Sequence, residues 1–203
     1  MIVDMVRLVL QVLAFLLSAV FVLRFYMHWQ RMPFYGAVGQ FVKAATDWLC
    51  ARRTPPSKVT PLRRGRVWSD WLPLAAALGV QLIHVALLLA MLGGLTLPVL
   101  GLPRALGLAV LGLATVVLNL LTALVLVEVV LSWVNPHSPV MGEVGALVEP
   151  FLRPFRRVIP PLGGVDLSPL VLLLIIQVVQ VAVSRSWENG LLAALAPFSG
   201  GML

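Results

Sequence analysis

Four stretches of this chain, roughly 5–28, 71–92, 105–134 and 167–187, are each long and apolar enough to cross a bilayer, which takes about 20 mostly apolar residues. Hydrocarbon offers the backbone no hydrogen-bond partners, so such stretches must satisfy their own and fold as α-helices. The composition agrees, with 60% of the 203 residues hydrophobic, 11% charged and a mean hydropathy of +0.99, far from soluble domains. At about 1.5 Å per residue the third stretch exceeds the hydrocarbon core and is expected to tilt or protrude. Trp29, Trp68, Trp71, Trp133 and Trp187 fall at or near the ends of these stretches, where an amphipathic ring prefers the headgroup layer. No A-x-A-like cleavage site follows the first stretch, which therefore reads as a permanent anchor.

The basic residues orient the spans. Arg31, Lys43, Arg52, Arg53, Lys58, Arg63, Arg64 and Arg66 separate spans one and two, and Arg153, Arg156 and Arg157 separate spans three and four, whereas Arg104 stands alone between spans two and three. By the positive-inside rule both long loops are expected in the cytoplasm and both termini on the opposite side; Arg7, near the outer end of span one, does not reverse this. The net charge of +7 lies beside apolar spans, so topology accounts for it and no nucleic-acid partner is expected. The single cysteine, Cys50, excludes an internal disulfide or a CxxC motif, and no zinc or haem motif is present. No cofactor is expected.

The chain also aligns with itself. At an offset of 104 residues Trp29 falls on Trp133, Arg52-Arg53 on Arg156-Arg157 and Pro56 on Pro160. Pro56 to Asp70 is 14 residues and Pro160 to Asp166 is 6, so the first copy carries 8 extra. Beyond them an offset of 96 matches Asp70 to Asp166, Pro73 to Pro169, Gln81 to Gln177, Val85 to Val181 and Ala86 to Ala182. The expected fold is an all-α membrane protein of four transmembrane helices arranged as two parallel repeats, 1–92 and 105–187, with a linker at 93–104 and a tail at 188–203. A pseudo-twofold four-helix bundle is the simplest packing. Each cytoplasmic loop, basic 30–70 and 135–166, is expected to hold an interfacial amphipathic helix or an ordinary loop helix packed on the bundle. Val140, Val144, Leu147, Val148, Phe151 and Leu152 recur at helical spacing with Glu143 off the stripe, and Phe34, Val38, Phe41, Val42, Ala45 and Trp48 trace a similar face.

The run from Pro150 through Arg153, Arg156-Arg157, Pro160, Gly163-Gly164 and Asp166 to Pro169, after Ser132-Trp133, resembles the signature of the YggT (YlmG-like) family, whose members carry two such repeats. The first copy departs from that pattern: it lacks the glycine pair and holds Lys58, Arg63, Arg64 and Arg66 in its insertion. The resemblance implies a multi-pass protein of the bacterial inner (plasma) membrane. It also implies roles of the kind linked to that family: osmotic or ion homeostasis, envelope or division organisation and, in plastids, cofactor assembly of photosynthetic complexes. It implies no enzyme.

Candidate functional residues fall into four sets. Asp166 immediately precedes span four, where its carboxylate can accept from free N–H groups and Pro169 is tolerated in the first turn; Asp70 and Pro73 repeat this before span two, and Gly163-Gly164 frees the backbone to turn back into the bilayer. These read as helix-start structure. Arg52, Arg53, Arg153, Arg156 and Arg157 are either topology determinants or contacts for anionic lipid headgroups or an acidic partner. Arg24 and Glu128, equivalent at the 104 offset and each five residues before a repeat tryptophan, carry opposite charges just inside the boundary and are expected to pair across the pseudo-twofold, unless each snorkels to headgroups. Gln11, Gln81, His84, Asn119, Thr122, Gln177 and Gln180 read as interhelical hydrogen-bonding groups, with Gln81 and Gln177 expected to face each other near the axis.

Two functions compete. One is a non-enzymatic scaffold or assembly factor for envelope homeostasis, engaging lipid and an unidentified membrane or cytoplasmic protein through its arginine- and proline-rich loops. The other is a component of small-ion transport or osmotic-stress response, as a homo-oligomer if the pore forms between protomers. No convergent nucleophile, base and metal-ligand set points to a membrane enzyme.

Overall fold

The computed structural model describes residues 2–32, 34–50, 71–91, 102–158 and 166–199, with the backbone alone at 2, 102 and 193–199. Its elements are all α-helices: α1 (Ile2–Trp29), α2 (Ala37–Cys50), α3 (Leu72–Met91), α4 (Leu102–Val134), α5 (Pro139–Val158) and α6 (Ser168–Ser199). Four segments, Val3–Trp29, Leu72–Met91, Pro103–Val134 and Ser168–Leu192, are long and apolar enough to span a membrane. The order span, short helix, span therefore runs twice.

Helix ends follow from local chemistry. After α1 the chain closes with hydrogen bonds from the Met32 N–H to the Met27 carbonyl at 3.0 Å and from the Arg31 N–H to the His28 carbonyl at 3.1 Å. Arg31 takes the left-handed turn between them at φ 55°, a position usually given to glycine. At the other end of the chain, α6 runs past the expected limit at 187 through most of what reads as a tail. No proline interrupts it between Pro169 and Pro197, and Leu191 is buried with Val85, Leu89, Ala105 and Leu108. Its 32 residues reach about 48 Å at 1.5 Å per residue. Trp187 packs against that same cluster instead of ending the helix.

The spans pack unevenly about any twofold. α1 lies against both α3 and α4, and α3 also against α4, whereas α6 packs on α4 and α5. This unevenness separates the two matched glutamines. Gln81 is buried, and its Nε2 donates to Ser18 Oγ at 3.1 Å; Gln177 lies exposed on the outer face of α6. The expectation that they meet near the axis is corrected: α6 places Gln180 inward, where its Nε2 donates to Asn119 Oδ1 at 2.5 Å.

At the end of the bundle where the short helices lie, α2 and α5 share cores with the spans. Val42 and Leu147 pack with Leu23 and Met27, and Val144, Val148 and Leu152 pack with Val125, Leu172 and Ile176. On α5 the buried positions Val144, Leu147, Val148 and Leu152 belong to the stripe read from the sequence, and the helix continues through Pro150 and Pro154. On α2 part of the expected stripe is packed, Val42 in the core with Phe34 and Val38 against it, and the buried face also takes in Gly39, Thr46 and Cys50. Phe41 and Trp48 are turned outward, more than 60% exposed. Outward aromatics beside Trp29, Trp71 and Trp133, which are exposed too, form the kind of belt that settles in a headgroup layer.

Candidate functional site

Each short helix is tied to its own preceding span by an ion pair, and the two pairs have opposite polarity. On α1 the cation belongs to the span: Arg24 Nη1 lies 2.7 Å from Asp47 Oδ1 on α2 and also contacts Thr46 Oγ1. On α4 the anion belongs to the span: Glu128 Oε1 lies 3.3 Å from Arg156 Nη2 on α5. The expected Arg24–Glu128 pair is thus corrected, since each charge finds its partner on the adjoining short helix. An ion at the membrane boundary is satisfied more cheaply by a group already held at that depth than by one across the bundle.

Arg156 does more than pair with Glu128. Its Nε donates to Asp166 Oδ2 at 2.8 Å and its Nη1 contacts Glu149 Oε2, so one planar guanidinium joins three carboxylates from α4, α5 and the start of α6. A fork of five donors suits this bridging, which a lysine ammonium could not reproduce. Asp166 in turn accepts from the Ser168 N–H at 2.9 Å through Oδ1, joining Arg156 to the first turn of α6. Burial pushes the Asp166 carboxyl up, but hydrogen bonds from Ser168 and Arg156 outweigh it and hold the group below its usual range. Pro73 and Pro169 are buried in the first turns of α3 and α6, where a missing N–H costs nothing.

The other candidates separate by exposure. Arg153 reaches Glu149 at 3.9 Å, and Arg157 is exposed with no ion pair among the described residues. These two are available for an external anion, whereas Arg156 is engaged in the junction. Arg52, Arg53, Asp70, Gly163 and Gly164 lie outside the described residues.

A contact between the two halves of the chain adds residues that the sequence pattern did not mark. The Ala37 and Val38 N–H groups that open α2 donate to the Glu143 carboxylate of α5 at 2.9 and 3.1 Å, supplying acceptors that a helix normally finds in its own N-cap. Gly36 permits this approach, because a Cβ there would fall 1.8 Å from Glu143 Oε1. The Tyr26 hydroxyl also donates to the Leu147 carbonyl at 2.8 Å, binding α1 to α5. The signal for the first contact was the absence of any Ser, Thr, Asp or Asn just before α2. Nothing local to the sequence points to the second.

Comparison with known proteins places this architecture. The family model described as CCB3/YggT matches residues 107–187, the stretch from α4 into α6 that holds Glu128, Arg156 and Asp166. The uncharacterized protein YggT of Escherichia coli (strain K12) is 30% identical over 173 residues, 84% of each chain. The chain belongs to the YggT family. The uncharacterized protein PA0392 of Pseudomonas aeruginosa is also similar, 31% identical over 178 residues, 86% of each chain. The chloroplastic YlmG homolog protein 2 of Arabidopsis thaliana shares 38% identity over 60 residues, 29% of this chain and 24% of its own. No solved structure matches.

Proposed function

We propose that this YggT-family chain is a non-catalytic membrane scaffold whose α2–α5 platform faces the cytoplasm of a bacterial inner membrane and engages anionic lipid and a protein partner. The observation that carries the reading is the bracing of that platform. Two short helices that touch each other and three of the spans are fixed by Arg24–Asp47, by Arg156 and its three carboxylates, by Glu143 of α5 accepting from the start of α2, and by Tyr26 of α1 donating to α5. A surface held at so many points is preorganised, which reduces the ordering cost of any partner that lands on it. Arg153 and Arg157 present cations at its edge, where each is worth about 1 kcal/mol toward an anionic surface. Against the transport alternative, Gln81 is buried between helices and Gln177 faces outward, so the matched pair lines no shared path.

The test is proximity crosslinking in native membranes from a photoreactive residue at position 157. Under the scaffold reading a few proteins are captured reproducibly, and Arg153→Glu abolishes their capture. Capture of lipid alone, or of other copies of the chain, moves the weight to an oligomeric transport component. Replacing Arg156 is unsuitable here, because it would disturb the α4–α5–α6 junction as well as the surface.

A further inference from the structure

An open cleft of about 500 Å³ lies between the end of α4, the turn at 135–138 and one face of α5. Its polar end is formed by Glu128, Glu149 and Arg156, and its wall by small or apolar groups that include Gly142, Gly145 and Ala146. Glu128 is the unusual member. It is 5% exposed, and only its Oε1 meets Arg156, while its Oε2 is buried without a hydrogen-bond partner among the described residues. A buried carboxylate oxygen left in this state costs free energy unless something else satisfies it.

Charge and depth indicate what that is. Three carboxylates, Glu128, Glu149 and Asp166, share Arg156 and, at 3.9 Å from Glu149, the edge of Arg153, which leaves one negative charge unmatched. Among the described residues no three His, Cys, Asp or Glu side chains converge as metal ligands, and a volume within the range of organic ligand sites is far larger than a bare ion. Glu128 lies five residues before the exposed Trp133, about 7.5 Å below the tryptophan belt along a helix, so the cleft opens at headgroup depth. A ligand with N–H donors on one positive nitrogen and a short carbon stem fits the acidic end and the Gly-Ala wall together.

We propose that this cleft binds a primary ammonium group, supplied either by an aminophospholipid headgroup or by a small soluble amine. The ammonium donates to Glu128 and Glu149 and neutralises the excess carboxylate beside Arg156, and its carbons lie along Gly142, Gly145 and Ala146. This goes beyond the scaffold reading and does not depend on any protein partner.

The experiment is native mass spectrometry of the purified full chain with phosphatidylethanolamine, phosphatidylcholine or phosphatidylglycerol, and separately with free ethanolamine. Phosphatidylcholine carries the same charge without N–H donors, which isolates the ammonium. Two variants report on the site: Glu149→Gln removes an acceptor, and Gly145→Phe fills the cleft while keeping every charge. A Cβ at Gly145 meets nothing within 4 Å, so the substituted side chain starts into open space, and thermal unfolding of each variant in detergent checks that it is folded. Phosphatidylethanolamine retained about tenfold over phosphatidylcholine, the equivalent of one charge-assisted hydrogen bond, and lost in Gly145→Phe, assigns the headgroup. Ethanolamine binding that Gly145→Phe abolishes, with the three lipids retained alike, assigns a soluble amine. Equal retention of all lipids with no ethanolamine binding, or retention that Gly145→Phe leaves intact, overturns the site.

Discussion

Individual charged residues here divide into those consumed by the fold and those left to the surface, and two arginines adjacent in sequence fall on opposite sides of that division. Arg156 joins three carboxylates; Arg157 is exposed. Arg156→Gln strands Glu128 as a buried, unpaired acid and is expected to lower stability by about 2 kcal/mol, the scale of leaving a buried polar group unsatisfied, whereas Arg157→Gln should change it by less than about 0.5 kcal/mol, as read from thermal unfolding in detergent. Asp166 adds a pH dependence whose sign follows from its lowered value. A carboxyl held below its unfolded pKa contributes stability that is present above that unfolded value, 3.8 for the ordinary group, and is lost as pH falls through the folded one. Wild-type protein should therefore lose stability on acidification below about pH 4, and Asp166→Asn should flatten that part of the profile. Identical acid profiles for the two proteins would show that Asp166 adds nothing there.

Among the elements, α2 depends most on a neighbour. It has 14 residues, a length at which isolated helices are marginal, and its opening N–H groups are capped by Glu143 from the other half of the chain. Gly36→Ala would push a methyl group into that carboxylate, and Glu143→Gln would weaken the same cap. Each is expected to cost about 1 kcal/mol, the usual worth of an N-cap. The double variant should cost little more than either alone, because both act on one contact. Hydrogen exchange at the Ala37 and Val38 amides offers a local readout, rising in both single variants while the spans stay protected. The chemistry of α2 also explains a gap in what its sequence conveyed. Phe41 and Trp48 satisfy a helical apolar pattern, yet Thr46 is packed and they are not, because beside a bilayer the outward face of a surface helix is apolar as well.

For the whole molecule, the two halves share an order of elements but not their contacts. Arg24 and Glu128 occupy matched positions with opposite charges, and each pairs with its own short helix. A double-mutant cycle on Arg24→Gln and Asp47→Asn is expected to give a coupling of about 1 kcal/mol, and one on Arg24→Gln and Glu128→Gln a coupling near zero. The reverse result would restore a direct pair across the bundle. Matched glutamines diverge in the same way, Gln81 inward and Gln177 outward, because α3 is flanked by α1 and α4 while α6 packs on α4 and α5.

By itself the sequence determined that this chain is a helical membrane protein with four spans, since the length and apolarity of each run leave a backbone in lipid no other way to satisfy its hydrogen bonds. The same linear pattern showed the stripe on α5 and, in the run from Pro150 to Pro169, the family. Only the tertiary structure decided which groups meet: Arg24 with Asp47, Glu128 and Asp166 through Arg156, Glu143 with the start of α2, and the extension of α6 beyond 187 onto a buried Leu191. Those choices depend on how far each helix is rotated about its own axis and how its neighbours approach. Because apolar side chains surround each span, a hydrophobic pattern that reads much the same on every face says little about either.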